Sequence, residues 1–583
     1  MSRYTIKYKG IEFPASQYQD AIFDNIEHGV GNMIIKAAAG SAKTTTIVNC
    51  MQIIPKNKSV LFIAFNKDIV DEIRSRVTER KGVKITTFHS LGLSILKENG
   101  LKMDSFTVNE FKYKHFVRLN ISSLSDGIYD NLVGAEKQIY LNNILLLSDY
   151  CRYYMAFSVK EIEKVSDKYG IVPIANEFQV VPKVLVWGEN EKGEIDYTDM
   201  VWLPNTLNYA TRKYRFDWIL IDEAQDVTIA EQNLIEKTYK RGCRVVVTGD
   251  PSQMINVWCG SDEEAINNFS RMNRIKEFTL PISYRCPKKV VELAKSYSPN
   301  ITCADYAIDG VVRYNVSKND PRGGDMVLCR ITSPLIELHL HYLSINKKSY
   351  LIGSEKIMEQ YLSLVRSTDS EVVDKSMIFR NGLFTSLYRL FIERVDNVIN
   401  TYKVTEDDAV LHPSVMYVYD GIQGLKVLSA GITTVSELRN KIGVVLGGGE
   451  KEGVVLSTVH KAKGLEADNV YILNPSMMPI KYAKKNWEVK TEMNLIYVAI
   501  TRAKKSLNYI EEERRFGGKQ DISLSDKVRR ELLMARKILS KWDDGNGDGN
   551  ESGSTIVFDS FPELKELDKI GETNKKNKRF RLF

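Results

Sequence analysis

Six short runs stand out from the mixed polar and apolar pattern of this chain. They are Met33–Lys36, Val60–Phe65, Trp218–Ile221, Arg244–Thr248, Gly453–Ser457 and Asn469–Leu473. Each is apolar and rich in β-branched or aromatic residues, and most lead straight into a polar or glycine-containing loop. That is the pattern of buried parallel strands whose C-terminal ends carry a site. The fold class expected is therefore α/β.

The runs are unevenly spaced. About 120 residues of helical, polar pattern lie between the Leu91–Leu96 region and Trp218, and roughly 100 more, Gly353 to Glu452, divide the later runs from those before them. Neither stretch carries a chemical motif, so both read as inserted domains, and no solenoid-type repeat is present. Past Gln520 the pattern changes. Asp521–Trp542 reads as a helix, Asp543–Ser554 as a flexible acidic linker, Ile556–Leu567 as a short apolar segment, and Lys575–Phe583 as a basic end. The linker has Asp544, Asn546, Asp548 and Gly549 at calcium-loop spacing, but its twelfth position is Thr555 where a bidentate Glu is required, which argues against a calcium site.

At 583 residues the chain exceeds one core and predicts three to five modules. With 43% hydrophobic and 27% charged residues it has the composition of a soluble globular protein. The net charge of +7 permits a nucleic-acid partner without requiring one, since a groove needs local basic density. The seven cysteines form no C-x-x-C pair, which argues against a zinc ribbon or a disulfide framework. His339 and His341 have no carboxylate or thiol companion nearby and read as ordinary element residues. The start, MSRYTIKYKG, lacks a signal-peptide core, and no run approaches the ~20 apolar residues of a membrane span. A cytoplasmic protein is expected: the host cytoplasm if phage-encoded, the nucleus if eukaryotic. Abundant Asn, Ile and Lys with few Pro point towards a phage or AT-rich bacterial source.

The strongest local signal is Ala37-Ala38-Ala39-Gly40-Ser41-Ala42-Lys43-Thr44, entered by a strand and left by a helical pattern that begins at Thr45. In a phosphate loop, successive backbone N–H groups wrap a phosphate at a helix N-terminus. Ala39, Gly40, Ser41, Ala42 and Thr45 would line such a loop, Lys43 would reach the β- and γ-phosphates of ATP, and Thr44 would hold Mg²⁺. The general pattern asks for Gly at positions 37 and 42, and both are Ala; Ala42 brings a Cβ close to the phosphates but can still take helical φ/ψ, which keeps the loop open to this reading. Downstream, Ile219-Leu220-Ile221-Asp222-Glu223-Ala224-Gln225-Asp226 is a strand ending in adjacent acids. Asp222 would bind Mg²⁺ and Glu223 would orient or deprotonate the attacking water. A solvated acid pair at a strand end is the bland alternative.

Through this D-E-A-Q-D segment the chain resembles superfamily 1 helicases of the UvrD/Rep type, and further motifs follow in order. Tyr18-Gln19-Asp20-Ala21-Ile22 resembles the Q motif, which implies that Gln19 reads adenine. Ala64-Phe65-Asn66-Lys67 and Thr87-Phe88-His89-Ser90-Leu91-Gly92 resemble segments of the DNA track, implying Phe65, Asn66, Thr87 and His89 as contacts. A core role for Phe65 stands equally open. Thr248-Gly249-Asp250-Pro251-Ser252-Gln253 resembles motif III, with Gln253 as γ-phosphate sensor. Ser283-Tyr284-Arg285-Cys286-Pro287 resembles motif IV, with Tyr284 on adenine and Arg285 on the γ-phosphate. Val459-His460-Lys461-Ala462-Lys463-Gly464-Leu465-Glu466 resembles motif V, which implies His460 on DNA and Glu466 on the ribose. Tyr497-Val498-Ala499-Ile500-Thr501-Arg502-Ala503 resembles motif VI, with Arg502 as arginine finger. Ile195-Asp196-Tyr197-Thr198-Asp199-Met200 resembles a segment recurring before motif II.

The resemblance implies two RecA-like motor domains with helical insertions: 1A over 1–96 and 200–278, 1B over 97–199, 2A over 279–352 and 454–515, and a small 2B-like insert over 353–453. Residues 516–583 form the remaining helix, linker and tail. On this reading Arg285 and Arg502 both come from the second body and make its closure depend on the γ-phosphate. The track departs from the family, because Asn256-Val257-Trp258-Cys259-Gly260 stands where Tyr-x-Trp-Arg-Gly is usual; Trp258 retains the stacking platform. The expected activity is an ATP-dependent, 3′→5′ DNA motor of replication, repair or recombination, acting as a monomer on single-stranded DNA, with RNA not separated from it. Ile556–Leu567 is expected to dock a replication or repair protein, or else to fold back on the motor. The alternatives are a translocase that does not unwind duplex and a catalytically silent nucleic-acid scaffold. A helicase–nuclease finds no support, for want of a spaced acidic cluster outside the motor motifs.

Overall fold

The computed structural model describes residues 2–511 and 524–543, apart from residues 9, 78–79, 102–105, 134, 192, 258–259, 262–263, 270, 273, 378, 403, 448–450 and 481–485. Trp258, the acidic linker beyond Asp543 and the segment Ile556–Leu567 therefore lie outside the described residues. The chain divides into two compact units, Met1–Gly310 with Lys485–Thr501, and Val311–Lys484 with Arg502–Phe583.

The first unit is built on six strands: β1 (Asn32–Ala37), β2 (Val60–Ile63), β3 (Val83–Thr86), β4 (Phe216–Ile221), β5 (Tyr239–Gly249) and β6 (Ile275–Leu280). Their order is β6-β1-β5-β4-β2-β3, and every pairing is parallel. Val60–Ile63 is buried at every position and β4 at nearly every one, as strands covered by helices on both faces must be. One apolar cluster under each face holds the covering helices, the first around Ile22, Phe62 and Val246 and the second around Leu91, Ile219 and Val247. An antiparallel hairpin, Thr5–Tyr8 with Ile11–Pro14, precedes the first helix.

Between β3 and β4 the chain leaves through five helices, from Lys112–Leu124 to Glu177–Asn190. Its outgoing and returning segments lie side by side, Thr107–Val108 pairing with Glu194–Ile195. A buried ionic group seats this insertion. Lys112 Nζ lies 2.7 Å from Asp199 Oδ2, and Arg152 reaches Asp196 at 2.7 Å and Asp199 at 3.0 Å. Tyr113 donates to Asp199 at 2.7 Å and stacks beneath the Arg152 guanidinium. Buried charge of this kind is tolerated only because each member is paired and hydrogen-bonded.

The second unit repeats the architecture with β7 (Val311–Arg313), β8 (Met326–Cys329), β9 (Ser349–Leu351), β10 (Val454–Thr458), β11 (Ala467–Leu473) and β12 (Ala503–Ile510). The order is β7-β12-β11-β8-β10-β9, again parallel throughout. Helices from Ser354–Arg366 to Val435–Leu446 occupy the interval between β9 and β10. They share one core with the sheet and with the helix Leu524–Asp543, whose Val528, Leu532, Ala535 and Leu539 are buried in it. Glu531 of that helix accepts hydrogen bonds from Tyr388, Gln423 and Lys426. Among the described residues no helix is long and apolar enough to cross a membrane.

Candidate functional site

In the first unit the residues marked by the sequence gather at the C-terminal edge of the parallel sheet. Ala37 ends β1, and the following loop turns into the helix Lys43–Ile53. Gly40 has φ +70°, and a Cβ there would lie 2.6 Å from Arg285 Cβ, so only glycine fits. Ala42 caps the helix at φ 60°, ψ 36°, the left-handed region. This corrects the reading in which it takes helical angles: the loop demands the conformation that glycine adopts freely and alanine does not.

The two acids after β4 meet the head of this helix. Lys43 Nζ lies 3.0 Å from Glu223 Oε2, and the Thr44 hydroxyl donates to Asp222 Oδ2. Lys43 is buried, which opposes its charge, yet Glu223, Asp250 and Asp222 together hold its pKa above the ordinary lysine value. Asp222 is pushed up to about 6 by burial and by the Glu223 charge, against the pull of Lys43 and Thr44. The donors here are all oxygen, the set that suits a hard dication such as Mg²⁺. Among the described residues no three His, Cys, Asp or Glu side chains are grouped to hold a metal alone. A cation held by Thr44 and Asp222 would take its remaining ligands from phosphate and water.

A hydrogen-bond relay, missed in the sequence, extends from Glu223. Gln225 Nε2 donates to Glu223 at 2.6 Å, and Gln225 Oε1 accepts from the Asp250 N–H at 2.9 Å. Gln253 Nε2 donates to Asp250 at 2.6 Å, and Asn256 donates to Asp226 at 3.1 Å. The signal for Gln225 and Asp250 was their place inside the D-E-A-Q-D and T-G-D-P-S-Q segments, but only the fold joins two strand ends that are neighbours in the sheet.

Gln19 is buried and works as a strut. Its Oε1 accepts from the Ser16 N–H and hydroxyl, and its Nε2 donates to Thr46 Oγ1 at 2.9 Å, tying the first helix to the phosphate-loop helix. Arg285, expected from the second body, belongs to the first unit, because the Tyr284 N–H donates to the Gly40 carbonyl at 2.9 Å. Tyr284 is exposed beside that loop. Phe65 is also exposed, at 50%, directly after β2, which excludes the core alternative. Asn66 and Thr87 cap the helices that follow β2 and β3, accepting from Ile69 and Ser90 N–H groups. His89 packs edge-on to Tyr197, with centroids 6.1 Å apart.

Three predicted residues lie in the second unit. Arg502 is buried and donates to the Leu465 carbonyl at 3.1 Å. Glu466 is ion-paired with Lys504 at 2.6 Å. His460 follows β10, its pKa pressed down to about 3 by burial and by Arg330.

Comparison with known proteins settles the family. Residues 19–273 match the UvrD/REP helicase N-terminal domain, and residues 453–510 match the UvrD-like helicase C-terminal domain. The chain belongs to the UvrD/Rep group of superfamily 1 helicases. UvrD/Rep relatives include a probable DNA helicase II homolog of Mycoplasma pneumoniae, 26% identical over 46% of this chain and 40% of its own length. F-box DNA helicase protein 1 of Schizosaccharomyces pombe is 23% identical over 81% of this chain and 55% of its own. The ATP-dependent DNA helicase Rep of Buchnera aphidicola is 21% identical over 82% and 92%. The chain thus spans about half the length of the first two UvrD/Rep relatives and nearly all of the third. Both sheets are those of the two RecA-like domains of this group.

Proposed function

We propose that this chain is an ATP-hydrolysing motor that moves 3′→5′ along single-stranded DNA and separates duplex ahead of it. The observation that carries the reading is the meeting of Lys43 with Glu223 and of Thr44 with Asp222, across 180 and 178 residues of sequence. Such a site needs a cation-binding hydroxyl and acid, a lysine for the phosphates and a second acid for water. Phosphate oxygens draw Lys43 away from Glu223, and the released carboxylate takes a proton from the attacking water. Bound Mg²⁺ would neutralise charge developing on the phosphates. The polarity rests on the Lys463-Gly464-Leu465-Glu466 form of motif V. The relatives named as DNA helicases support DNA over RNA, and we place the protein in the cytoplasm, working as a monomer.

The test is ATP turnover with duplexes tailed at the 3′ or the 5′ end, scored together with strand separation. Turnover stimulated by single strands and unwinding from the 3′ tail alone is the expected result. Glu223→Gln should nearly abolish turnover while nucleotide binding persists. Turnover by Glu223→Gln at the parent rate would remove the water-activation role, and unwinding from the 5′ tail would reverse the polarity. Stimulated turnover without strand separation would leave a translocase.

A further inference from the structure

One helix of the first unit, Asn486–Ile500, touches the nucleotide site at two separate points. The Tyr497 hydroxyl, buried within the unit, accepts the Ala39 N–H of the phosphate loop at 3.0 Å. One turn earlier Asn494 Nδ2 donates to the carbonyls of Pro251 and Met254 at 3.2 and 2.9 Å, spanning the short turn Pro251–Gln253. That turn carries Gln253, whose amide holds Asp250, which leads through Gln225 to Glu223 and so to Lys43. The bonds close a ring from the phosphate loop, through the Glu223 carboxylate, along the motif III turn and back through two residues of one helix, three positions apart. Residues three apart share a helix face, so Asn494 and Tyr497 cannot move independently.

The helix is itself held at both ends. Trp487 Nε1 donates to the Lys168 carbonyl at 3.2 Å, and the Thr501 carbonyl accepts from Arg285 and from Cys286. A helix so pinned is a fixed ruler between the two ends of the ring.

From this geometry we infer that Asn494 and Tyr497 are positioning residues of the ATPase. Tyr497 sets the phosphate loop, Asn494 sets the Gln253 turn, and the helix between them fixes the distance from one to the other. The inference rests on the proposed nucleotide chemistry only for its kinetic readout. Tyr497→Phe removes one oxygen and keeps the ring, leaving a buried N–H without its acceptor. Asn494→Ala frees the turn while leaving the helix intact.

The experiment uses the full chain and two measurements. Hydrogen exchange over residues 37–44 reads the loop directly: Tyr497→Phe should quicken exchange there about tenfold, because the bond that holds the Ala39 amide closed is gone. Steady-state ATPase with single-stranded DNA reads the ring. Tyr497→Phe should raise the ATP KM about tenfold, the scale of one lost hydrogen bond, and Asn494→Ala should mainly lower the DNA-stimulated kcat. The double variant should lose less than the product of the two, as members of one device do. Parent-like exchange in Tyr497→Phe overturns the hold on the loop, even in a protein that hydrolyses no ATP. Lower melting temperatures with unaltered KM and kcat would reduce both residues to packing, and strictly multiplicative losses would break the ring into two separate contacts.

Discussion

Ala42 occupies a backbone position that costs an L-residue about 1–2 kcal/mol, with φ 60° at the head of the phosphate-loop helix. Glycine would remove that strain, although the freedom it adds to the unfolded chain returns about 0.5–1 kcal/mol. Ala42→Gly should therefore change stability by no more than about 1.5 kcal/mol and leave turnover within a few-fold, checked by urea unfolding and ATPase assay. Activity that arises only in Ala42→Gly would mark the parent as a silenced ATPase and return the scaffold reading. The sequence exposed the substitution but not its conformation, since Ala is compatible with either hand until the loop's neighbours are known. Phe65 shows the same limit. An aromatic after a buried strand reads equally as core or surface, and the fold alone places it in the open.

Among the elements, the four inner strands of the first sheet and β10 and β11 of the second were legible because burial on both faces leaves a run of β-branched and aromatic residues that polar segments cannot imitate. The inner strands β8 and β12 were not, the four residues Met326–Cys329 being too short a run to stand out though every one is buried. The helix over Leu524–Asp543 was legible as a helix, but its partner was not: an amphipathic stripe says that a face is buried, without saying against what. The same holds for Gly92, which the sequence marks by its motif and the fold explains by packing. A Cβ there would lie 2.0 Å from the Met200 carbonyl, where the helix Phe88–Glu98 crosses Tyr197–Thr206. Gly92→Ala should force these helices apart and cost about 1–3 kcal/mol, as overpacking does, read as a lowered denaturation midpoint. His412, which caps the helix Pro413–Leu428 by accepting the Ser414 N–H, supplies a pH dependence. Burial, and then the charge of Arg394, press its pKa down to about 4 from the usual 6.5. Between those values the unfolded chain binds a proton that the folded chain refuses, so stability should fall as pH drops from about 6.5 to about 4. His412→Asn keeps a capping acceptor and removes the titrating ring, and its denaturation midpoint should vary less over that window.

For the molecule as a whole, two truncations separate core from appendage. Ending the chain at residue 523 removes Val528, Leu532, Ala535 and Leu539 from the shared core, along with the Glu531 acceptor for Tyr388. The second unit should then melt early and expose apolar surface to dye. Ending it at Asp543 should leave DNA-stimulated ATPase nearly intact, because the acidic, glycine-rich residues that follow have too few apolar groups to pack. Loss of ATPase in that second truncation would make the tail a piece of the motor and end the docking reading of Ile556–Leu567.

The contact between Ala39 and Tyr497 joins residues 458 apart in sequence, and synthesis on the ribosome reaches them in strict order. Residues 1–310 emerge with the phosphate loop, the adjacent acids Asp222 and Glu223 and every strand of their sheet, but without the last helix of their own unit. At about 5–20 residues per second, roughly 10–40 s pass before Thr501 is made. Through that interval Trp487 has yet to fill its place against Tyr169, and the apolar cluster it joins stands open to chaperones. A nascent chain stalled before residue 485 would thus hold the phosphate loop and the paired acids while lacking both Arg502 and the helix that holds the loop in register, so ATP turnover is expected only from chains that extend past residue 502.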